Sequence, residues 1–387
     1  MKEGIHQYLI DNELLLYAEV NKSLYGLNSV ATAVWFLFED GLSEAEIVKH
    51  ISSKFSMPIN QVAEDVSRIF SEFNAIVQAS EVENRSGNAL DTSEYGIPLC
   101  FSYQKPKITL KLKILETCFC VRFDSKLLFE WIWPIVSHLQ TEDVHDEYSY
   151  LDIIETRTRG FIIHQNRIIN SFKHQKYLAP VLIHELSRIA YQKYDYLLAI
   201  HSAVAGNKRG CILLPGMSGK GKSTLVTALV HSGLDYYTDE VAVINRQTQE
   251  VVPLPTPIGI KKRSLHVLDR FFPQINKLEA HYGEEGKEIR YLVPDKKSIV
   301  CPIERGGWVS VIIFPEYQDG ASTVLKPISK VTAIKKLVDS GYQTKFFFNA
   351  LTAAEIIDWI TSIKCFSLHY SNLKEAVDTI REVFNEP

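Results

Sequence analysis

The first part of the chain changes from strand-like to helix-like spacing of its apolar residues. Two apolar runs, 5–10 and 14–20, flank the turn-prone pair Asp11-Asn12, and this arrangement predicts a β-hairpin. Three stretches of apolar residues at helical spacing follow. The residues that mark these helices are Asn28 before the first, the capping pair Ser43 and Glu46 at the second, and Val62 to Phe73 within the third. The pattern predicts a small α+β unit over 1–77.

A polar stretch separates this unit from the rest of the chain. Between 78 and 97 the composition shifts to Glu, Asn, Ser, Gly, Asp and Thr, which is typical of a linker. Further on, strand patterns alternate with helix patterns, as they do in an α/β sheet. The clearest strands are 108–114, 199–205, 211–214 and 241–244, and the clearest helices are 178–194 and 373–384. We therefore expect an N-terminal domain at 1–77, a linker at 78–97 and an α/β domain at 98–387.

The composition is that of an ordinary globular protein and excludes several classes of function. Lysine and arginine number 42 against 46 aspartates and glutamates, and hydrophobic residues make up 46% of the chain. This balance excludes a disordered chain and argues against nucleic acid as the main partner, because binding to its phosphates usually needs a basic face. No apolar run approaches the roughly 20 residues of a membrane span, and no secretory signal is visible. With six scattered cysteines, the sequence indicates a reduced, cytoplasmic protein.

One motif predicts chemistry far more strongly than any other. The run from Gly216 to Ser223 fits the phosphate-loop pattern G-x-x-x-x-G-K-[ST]. An apolar run at 211–214 precedes it, and a helical pattern at 225–230 follows and stops at Gly233. Because strand, glycine loop and helix come in the order that this motif requires, the sequence predicts a nucleoside triphosphate site.

The residue types of this loop explain how it would hold phosphate. Gly216, Gly219 and Gly221 allow backbone conformations and close approaches that a side chain would block. The loop amides and the helix N-terminus would then point at the phosphates. We expect Lys222 to reach the β- and γ-phosphates and Ser223 to bind Mg²⁺.

Three polar residues outside the loop are candidates for the chemistry of transfer. Asp239 and Glu240 lie where the strand after the loop's helix is expected to begin. One carboxylate there could help to bind Mg²⁺, and the other could accept a proton from an attacking hydroxyl. His201 lies on the strand before the loop. The run 276–279 lacks the Asp of the guanine-reading N-K-x-D pattern, which argues against a Ras-like GTPase.

The segments around the loop resemble the HPr serine kinase/phosphorylase family, whose members place a histidine before the loop and an acid pair one helix after it. The residues that carry this resemblance are Ile200-His201, GMSGKGKST at 216–224 and SGLDYYTDEVAVI at 232–244. The segments 253–264, 290–294 and 365–377 look like the HPr-kinase-related proteins rather than the metabolic regulator itself. The resemblance covers 98–387 and implies an HPr-kinase-like P-loop domain with the phosphoenolpyruvate-carboxykinase-like fold.

The resemblance also implies a role for each matching position. It places ATP-phosphate contacts on Gly216, Met217, Ser218, Gly219, Lys220, Gly221, Lys222, Ser223 and Thr224. It implies Mg²⁺ ligands at Ser223 and Asp239 and catalytic roles for His201, Lys222 and the acid pair. Since the second acid is Glu240 where the family has Asp, it stays open which carboxylate is the general base toward a serine hydroxyl.

One segment departs from the family. The family's E-V-R-G-x-G-I segment, whose Glu helps to bind metal, corresponds to 254–260, and that stretch has no Glu. The departure argues against a reverse phosphorylase reaction and against HPr as the substrate. Lys261, Lys262 and Arg263 follow directly, and they could contact phosphate or peptide or form a solvated charged run.

The first 77 residues resemble a second family, the PqqD-like domains that act as recognition elements for ribosomally synthesised and post-translationally modified peptides (RiPPs). The supporting residues are the predicted hairpin, the run at 25–29, Val34-Trp35 and Asp65-Val66. The resemblance implies a winged-helix-like α+β domain that binds a leader peptide by adding it as a strand to a sheet edge beside a helix.

Together the two resemblances imply an ATP- and Mg²⁺-dependent serine kinase that phosphorylates a peptide, with the precursor's leader held by the N-terminal domain. Two alternatives remain open at this point. One is a nucleotide-sensing protein that binds peptide without transferring phosphate, which the missing metal-binding Glu favours. The other is a kinase of a small hydroxylated metabolite. The sequence names neither the acceptor nor the oligomeric state.

Overall fold

The computed structural model describes residues 4–11, 13–19, 21–55, 58–82, 96–98, 104–142, 147–283, 286–300, 306–345 and 348–385. The chain forms two compact units. The first consists of Met1–Leu90, Ile328–Lys336 and Phe346–Ser362, and the second of Asp91–Pro327, Leu337–Lys345 and Ile363–Pro387. Two segments from late in the chain therefore belong to the same unit as the PqqD-like region.

The helices and strands of the described residues follow in chain order. The helices are α1 (Ser29–Glu39), α2 (Glu44–Phe55), α3 (Ile59–Val82), α4 (Lys126–Val136), α5 (Leu178–Lys193), α6 (Lys222–His231), α7 (Leu265–Leu268), α8 (Lys330–Ser340), α9 (Ala350–Thr361) and α10 (Leu373–Asn385). The strands are β1 (Ile5–Ile10), β2 (Glu13–Ala18), β3 (Ser23–Leu27), β4 (Ile97–Pro98), β5 (Ile108–Ile114), β6 (Thr117–Phe123), β7 (Ser149–Glu155), β8 (Gly160–His164), β9 (Arg167–Phe172), β10 (Tyr196–Asn207), β11 (Gly210–Pro215), β12 (Asp235–Thr238), β13 (Val241–Asn245), β14 (Glu250–Val252), β15 (Ile258–Lys261), β16 (His281–Tyr282), β17 (Glu288–Leu292), β18 (Gly307–Tyr317), β19 (Val324–Pro327), β20 (Tyr342–Gln343) and β21 (Lys364–Tyr370).

The first unit contains an antiparallel sheet in the order β1-β2-β3 and the helices α1 to α3. The predicted hairpin is confirmed as β1 and β2, whereas β3 is an additional strand that the apolar pattern does not reveal. Two predicted helix starts are also confirmed by their capping bonds. The side chain of Asn28 accepts the N–H of Ala31 at 2.8 Å, and the N–H of Ser43 donates to the carboxylate of Glu46 at 2.8 Å.

Both faces of this sheet are covered within the first unit. One face packs on α1 to α3 through an apolar cluster around Trp35, which is fully buried. On the other face, the hydroxyl of Tyr17 donates to the carbonyl of Phe348 at 2.7 Å, and Nζ of Lys335 donates to the carbonyl of Gly26 at 2.7 Å. The edge strands β1 and β3 are therefore the places where the sheet can accept a further strand.

The predicted linker at 78–97 falls mostly outside the described residues, which break off after Val82 and resume at Gly96. The start of the predicted linker, up to Val82, belongs to α3. At its other end, Ile97 and Pro98 form the short strand β4, which pairs with β9.

The second unit holds a six-stranded sheet and a nine-stranded sheet. The six strands run in the order β4-β9-β8-β7-β6-β5, and α4 and α5 contribute to the core that covers them. The nine-stranded sheet follows the path β11-β10-β13-β14-β18-β21-β19, with β12 and β20 also paired to β10. The strand before the glycine loop, β11, pairs with both β10 and β18. The order β11-β10-β13-β14-β18 therefore closes on itself at β11.

A third, smaller sheet of the second unit has the order β15-β17-β16. Ile258 and Ile260 of β15 are buried in the core beneath α6, so Gly259 and Lys261, which alternate with them, face the other way. The mixed α/β class that the sequence predicts is confirmed. Among the described helices, none combines the length and the apolar character that crossing a membrane requires.

Candidate functional site

The glycine loop lies between β11 and α6, as the motif predicts. Gly219 and Gly221 have φ angles of 99° and 97°, in the left-handed region that favours glycine. Gly221 directly precedes α6, and a Cβ atom there would collide with the phenol of Tyr370. The backbone conformation of the loop at the N-terminus of α6 therefore depends on glycine at both positions.

The ammonium group of Lys222 is held inside the loop. Its Nζ donates to the carbonyls of Gly216 and Met217, the latter at 3.2 Å, and lies 3.0 Å from Nε2 of His201. Only 6% of the residue's surface is exposed, and this burial lowers the pKa of Lys222 to about 8. These contacts hold the charge of Lys222 beside the backbone that would surround a phosphate.

The other cations near the loop have different partners. Lys220, which the sequence places among the phosphate contacts, forms an ion pair with Glu316 at 2.7 Å. Lys261 donates to the hydroxyl of Ser218, and Arg263 donates to the carbonyl of Gly219 at 2.8 Å. Two of the three basic residues at 261–263 thus contact the loop itself.

His201 connects the loop to the acid pair. It lies on β10, and its Nδ1 forms a hydrogen bond of 3.0 Å with the carbonyl oxygen of Glu240. A carbonyl only accepts, so Nδ1 carries the proton and Nε2 is free to accept from Lys222. Burial, followed by the charge of Lys222, lowers the pKa of His201, which agrees with this neutral form.

The acid pair lies in the turn between β12 and β13. The sequence places the two acids at the start of the strand that follows α6. In the structure the short strand β12 follows α6, and the acids come after β12 and directly before β13. Asp239 is 5% exposed, and its Oδ2 accepts the N–H of Gly259 at 3.2 Å. Burial and the neighbouring Glu240 raise the pKa of Asp239 to about 7, although Ser223 and Lys222 oppose the shift. Glu240 itself is exposed.

The residues present fit a magnesium ion whose coordination is completed by phosphate oxygens. Within the described residues, no group of three or more His, Cys, Asp or Glu side chains could hold a metal by itself. Protein Mg²⁺ sites commonly use one or two carboxylates together with substrate phosphates and water. Oδ1 of Asp239 is buried and has no hydrogen-bond partner among the described residues, and Ser223 interacts with the same carboxyl group. Asp239 therefore has an oxygen available for such an ion.

These groups line one cleft of about 380 Å³, which we call the loop cleft. The predicted site residues that line it are His201, Ser218, Gly219, Gly221, Lys222, Ser223, Thr224, Asp239 and Glu240. The other three predicted residues do not line the cleft. The carbonyls of Gly216 and Met217 accept hydrogen bonds from Lys222, and Lys220 donates to Glu316.

Further residues line the loop cleft for which the sequence predicts no role in the site. They are Pro180, Ile183 and His184 of α5, Thr256 and Pro257 before β15, Gly259 of β15, Ser264 after it, and Ile289 and Tyr291 of β17. Five of them lie in the segments 253–264 and 290–294 that carry the family resemblance, but no local pattern marks them as site residues, because strand pairing and helix packing bring them to the loop from distant parts of the chain.

Comparison with known proteins identifies the N-terminal part. Residues 13–75 match the family described as coenzyme PQQ synthesis protein D (PqqD), which confirms the predicted PqqD-like domain. A solved structure, TbiB1 in complex with the TbiA(beta) leader peptide, is similar at 25% identity over 22% of this chain and all of that chain, with a TM-score of 0.19. No curated protein matches the chain.

Proposed function

We propose that the chain is an ATP-dependent serine kinase that phosphorylates a ribosomally made peptide whose leader binds to the PqqD-like domain. The observation that supports the kinase most directly is the loop cleft, where the glycine loop, Lys222 and the acid pair meet. The peptide is favoured as the substrate class by the match of residues 13–75 to PqqD.

One end of the loop cleft suits the phosphates of ATP. The loop amides and the N-terminus of α6 offer hydrogen-bond donors, and Lys222, Lys261 and Arg263 add positive charge. On binding, Lys222 exchanges the carbonyls of Gly216 and Met217 for phosphate oxygens. Ser223 and Asp239 would hold Mg²⁺, which would supply positive charge that offsets the charge of the transferring group.

The acid pair suits the proton transfer that accompanies phosphorylation. The acceptor's hydroxyl oxygen forms a bond to the γ-phosphorus, the bond from that phosphorus to the ADP oxygen breaks, and the hydroxyl proton passes to a carboxylate. We assign the proton to Glu240, because it is exposed in the cleft whereas Asp239 is buried beside Ser223. His201 acts as a positioning residue, since its ring binds the backbone of Glu240.

The architecture of the first unit supports leader binding at a sheet edge. Helices α1 to α3 cover one face of the sheet, and the segments around Lys335 and Phe348 cover the other. An extended peptide can therefore add to the sheet along β1 or β3, where main-chain groups supply the hydrogen bonds.

The leader is expected to increase the efficiency of phosphorylation without changing the chemistry. With MgATP, we expect a precursor peptide encoded beside the gene to gain phosphate with a KM about a hundredfold lower than its leaderless core, because tethering raises the local acceptor concentration. Mass spectrometry of time courses measures both rates. Added free leader should inhibit the full precursor and leave the core peptide unaffected.

Other outcomes of this experiment point to the two alternatives. Nucleotide-dependent precursor binding without a phosphorylated product would indicate a nucleotide sensor. Equal KM values with and without the leader would contradict leader recognition and favour a small-metabolite kinase. Hydrogen exchange locates the docked leader, because strand addition slows amide exchange in β1 or in β3.

A further inference from the structure

One face of the small sheet forms a wall of the loop cleft. In the register of β15 and β17, Gly259 lies opposite Tyr291 and Lys261 lies opposite Ile289. All four residues line the cleft, while the alternate residues of β15 point into the core. Gly259 contacts the acid Asp239, so this wall begins at the acid pair.

The wall is positively charged on β15 and apolar or aromatic on β17. Lys261 contacts the loop, whereas the next strand contributes Ile289 and the ring of Tyr291. Ile183 of α5 and Pro257 add further apolar surface. The loop cleft therefore has a cationic end for phosphate and an apolar end, and Glu240 is the exposed member of the acid pair.

A buried hydroxyl in the apolar end has no partner among the described residues. Thr256 is 2% exposed and lines the cleft, yet its Oγ1 makes no hydrogen bond with any described group. Leaving such a group unpaired is costly, so a ligand that hydrogen-bonds with it gains affinity. Burial raises the pKa of the Tyr291 phenol, which therefore stays protonated and able to donate.

We propose that Ile183, Thr256, Pro257, Ile289 and Tyr291 form the acceptor subsite, and that it binds an uncharged peptide segment in which the phosphorylated serine has apolar neighbours. This inference rests on the proposed kinase function and specifies its substrate. The exposed carboxylate of Glu240 repels an acceptor that carries negative charge close to its hydroxyl, such as a free amino acid carboxylate or an acidic peptide. The apolar surface binds the side chains next to the serine.

Two blocked tripeptides test this specificity with the full chain and MgATP. We expect leucyl-seryl-leucine to be phosphorylated with a kcat/KM at least about tenfold above that of glutamyl-seryl-glutamate, because the second places charges on an apolar wall. Equal efficiencies, or a preference for free serine, would overturn the subsite. If ATP binds but neither these tripeptides nor the precursor gains phosphate, the proposed function fails and the subsite fails with it.

Two matched variants test the wall itself. Thr256→Val is expected to raise the KM for leucyl-seryl-leucine roughly fivefold, the effect of one lost hydrogen bond, and to leave the affinity for ATP unchanged. Thr238→Val is the control, because Thr238 has a similarly buried, unpartnered hydroxyl and does not line the cleft. Ile289→Asp should raise the same KM by about tenfold or more. If phosphorylation proceeds and both Thr256→Val and Ile289→Asp keep the wild-type KM, as the control Thr238→Val should, the acceptor binds elsewhere.

Discussion

Replacement of Lys222 by alanine is expected to lower phosphate transfer at least about a thousandfold, equivalent to roughly 4 kcal/mol of transition-state stabilisation. The reason is geometric, because two loop carbonyls and His201 hold the buried ammonium group beside the phosphate loop. A fixed charge at a buried position interacts more strongly than one in water. Single-turnover phosphorylation measures the loss, and calorimetry with a non-hydrolysable ATP analogue measures the accompanying loss of affinity.

Lys220→Ala is the matched control within the same loop. Lys220 pairs with Glu316, and both side chains are more than a third exposed, so the pair contributes little in solvent. We expect transfer by this variant to fall less than about tenfold. Equal losses for the two lysine variants would contradict the assignment of the phosphate charge to Lys222.

The parts of the fold and of the site that the sequence predicts are those formed by neighbours in the chain. The order of β11, loop and α6 follows from one contiguous motif, and the cap at Asn28 involves only the next turn of helix. The approach of His201 to the acid pair also follows from the family resemblance, although its bond runs through the backbone of Glu240 rather than through the carboxylate.

The parts that the sequence does not predict depend on pairing between distant segments. Gly259 gives no local sign that its N–H binds Asp239, twenty residues earlier, and nothing in the run around Tyr291 shows that it pairs with Gly259. Apolar alternation identifies a strand but not its partner. The same limit applies to the first unit, where Lys335 contacts Gly26 across more than three hundred residues.

Opposite effects on activity and stability are expected when Asp239 is changed to asparagine. Transfer should fall at least about a hundredfold, because Ser223 loses its partner in binding Mg²⁺. The free energy of unfolding of the protein without nucleotide and metal should rise. Burial raises the pKa of Asp239 from 3.8 in a model peptide to about 7 in the folded chain, so ionising it there is unfavourable.

The pH dependence of this gain follows from the same pKa shift. Below about pH 3 the carboxyl group is largely protonated in both the folded and the unfolded chain, and the variant should gain almost nothing. The cost to the wild-type protein grows as the pH rises from about 4 to about 7 and stays constant above that range, so the gain of Asp239→Asn should do the same. Thermal unfolding at pH 5 and pH 8 measures the difference.

Glu240→Gln completes this test, because the same chemical change is made at an exposed carboxylate. We expect transfer to fall about 10²- to 10⁴-fold, the usual effect of a positioned base, while binding of the Mg²⁺-nucleotide complex and the unfolding midpoint stay close to wild type. Asp239→Asn should instead weaken the magnesium dependence of nucleotide binding. If Glu240→Gln transfers phosphate at the wild-type rate while Asp239→Asn does not, Asp239 takes the proton itself, and the division of roles between the two acids is wrong.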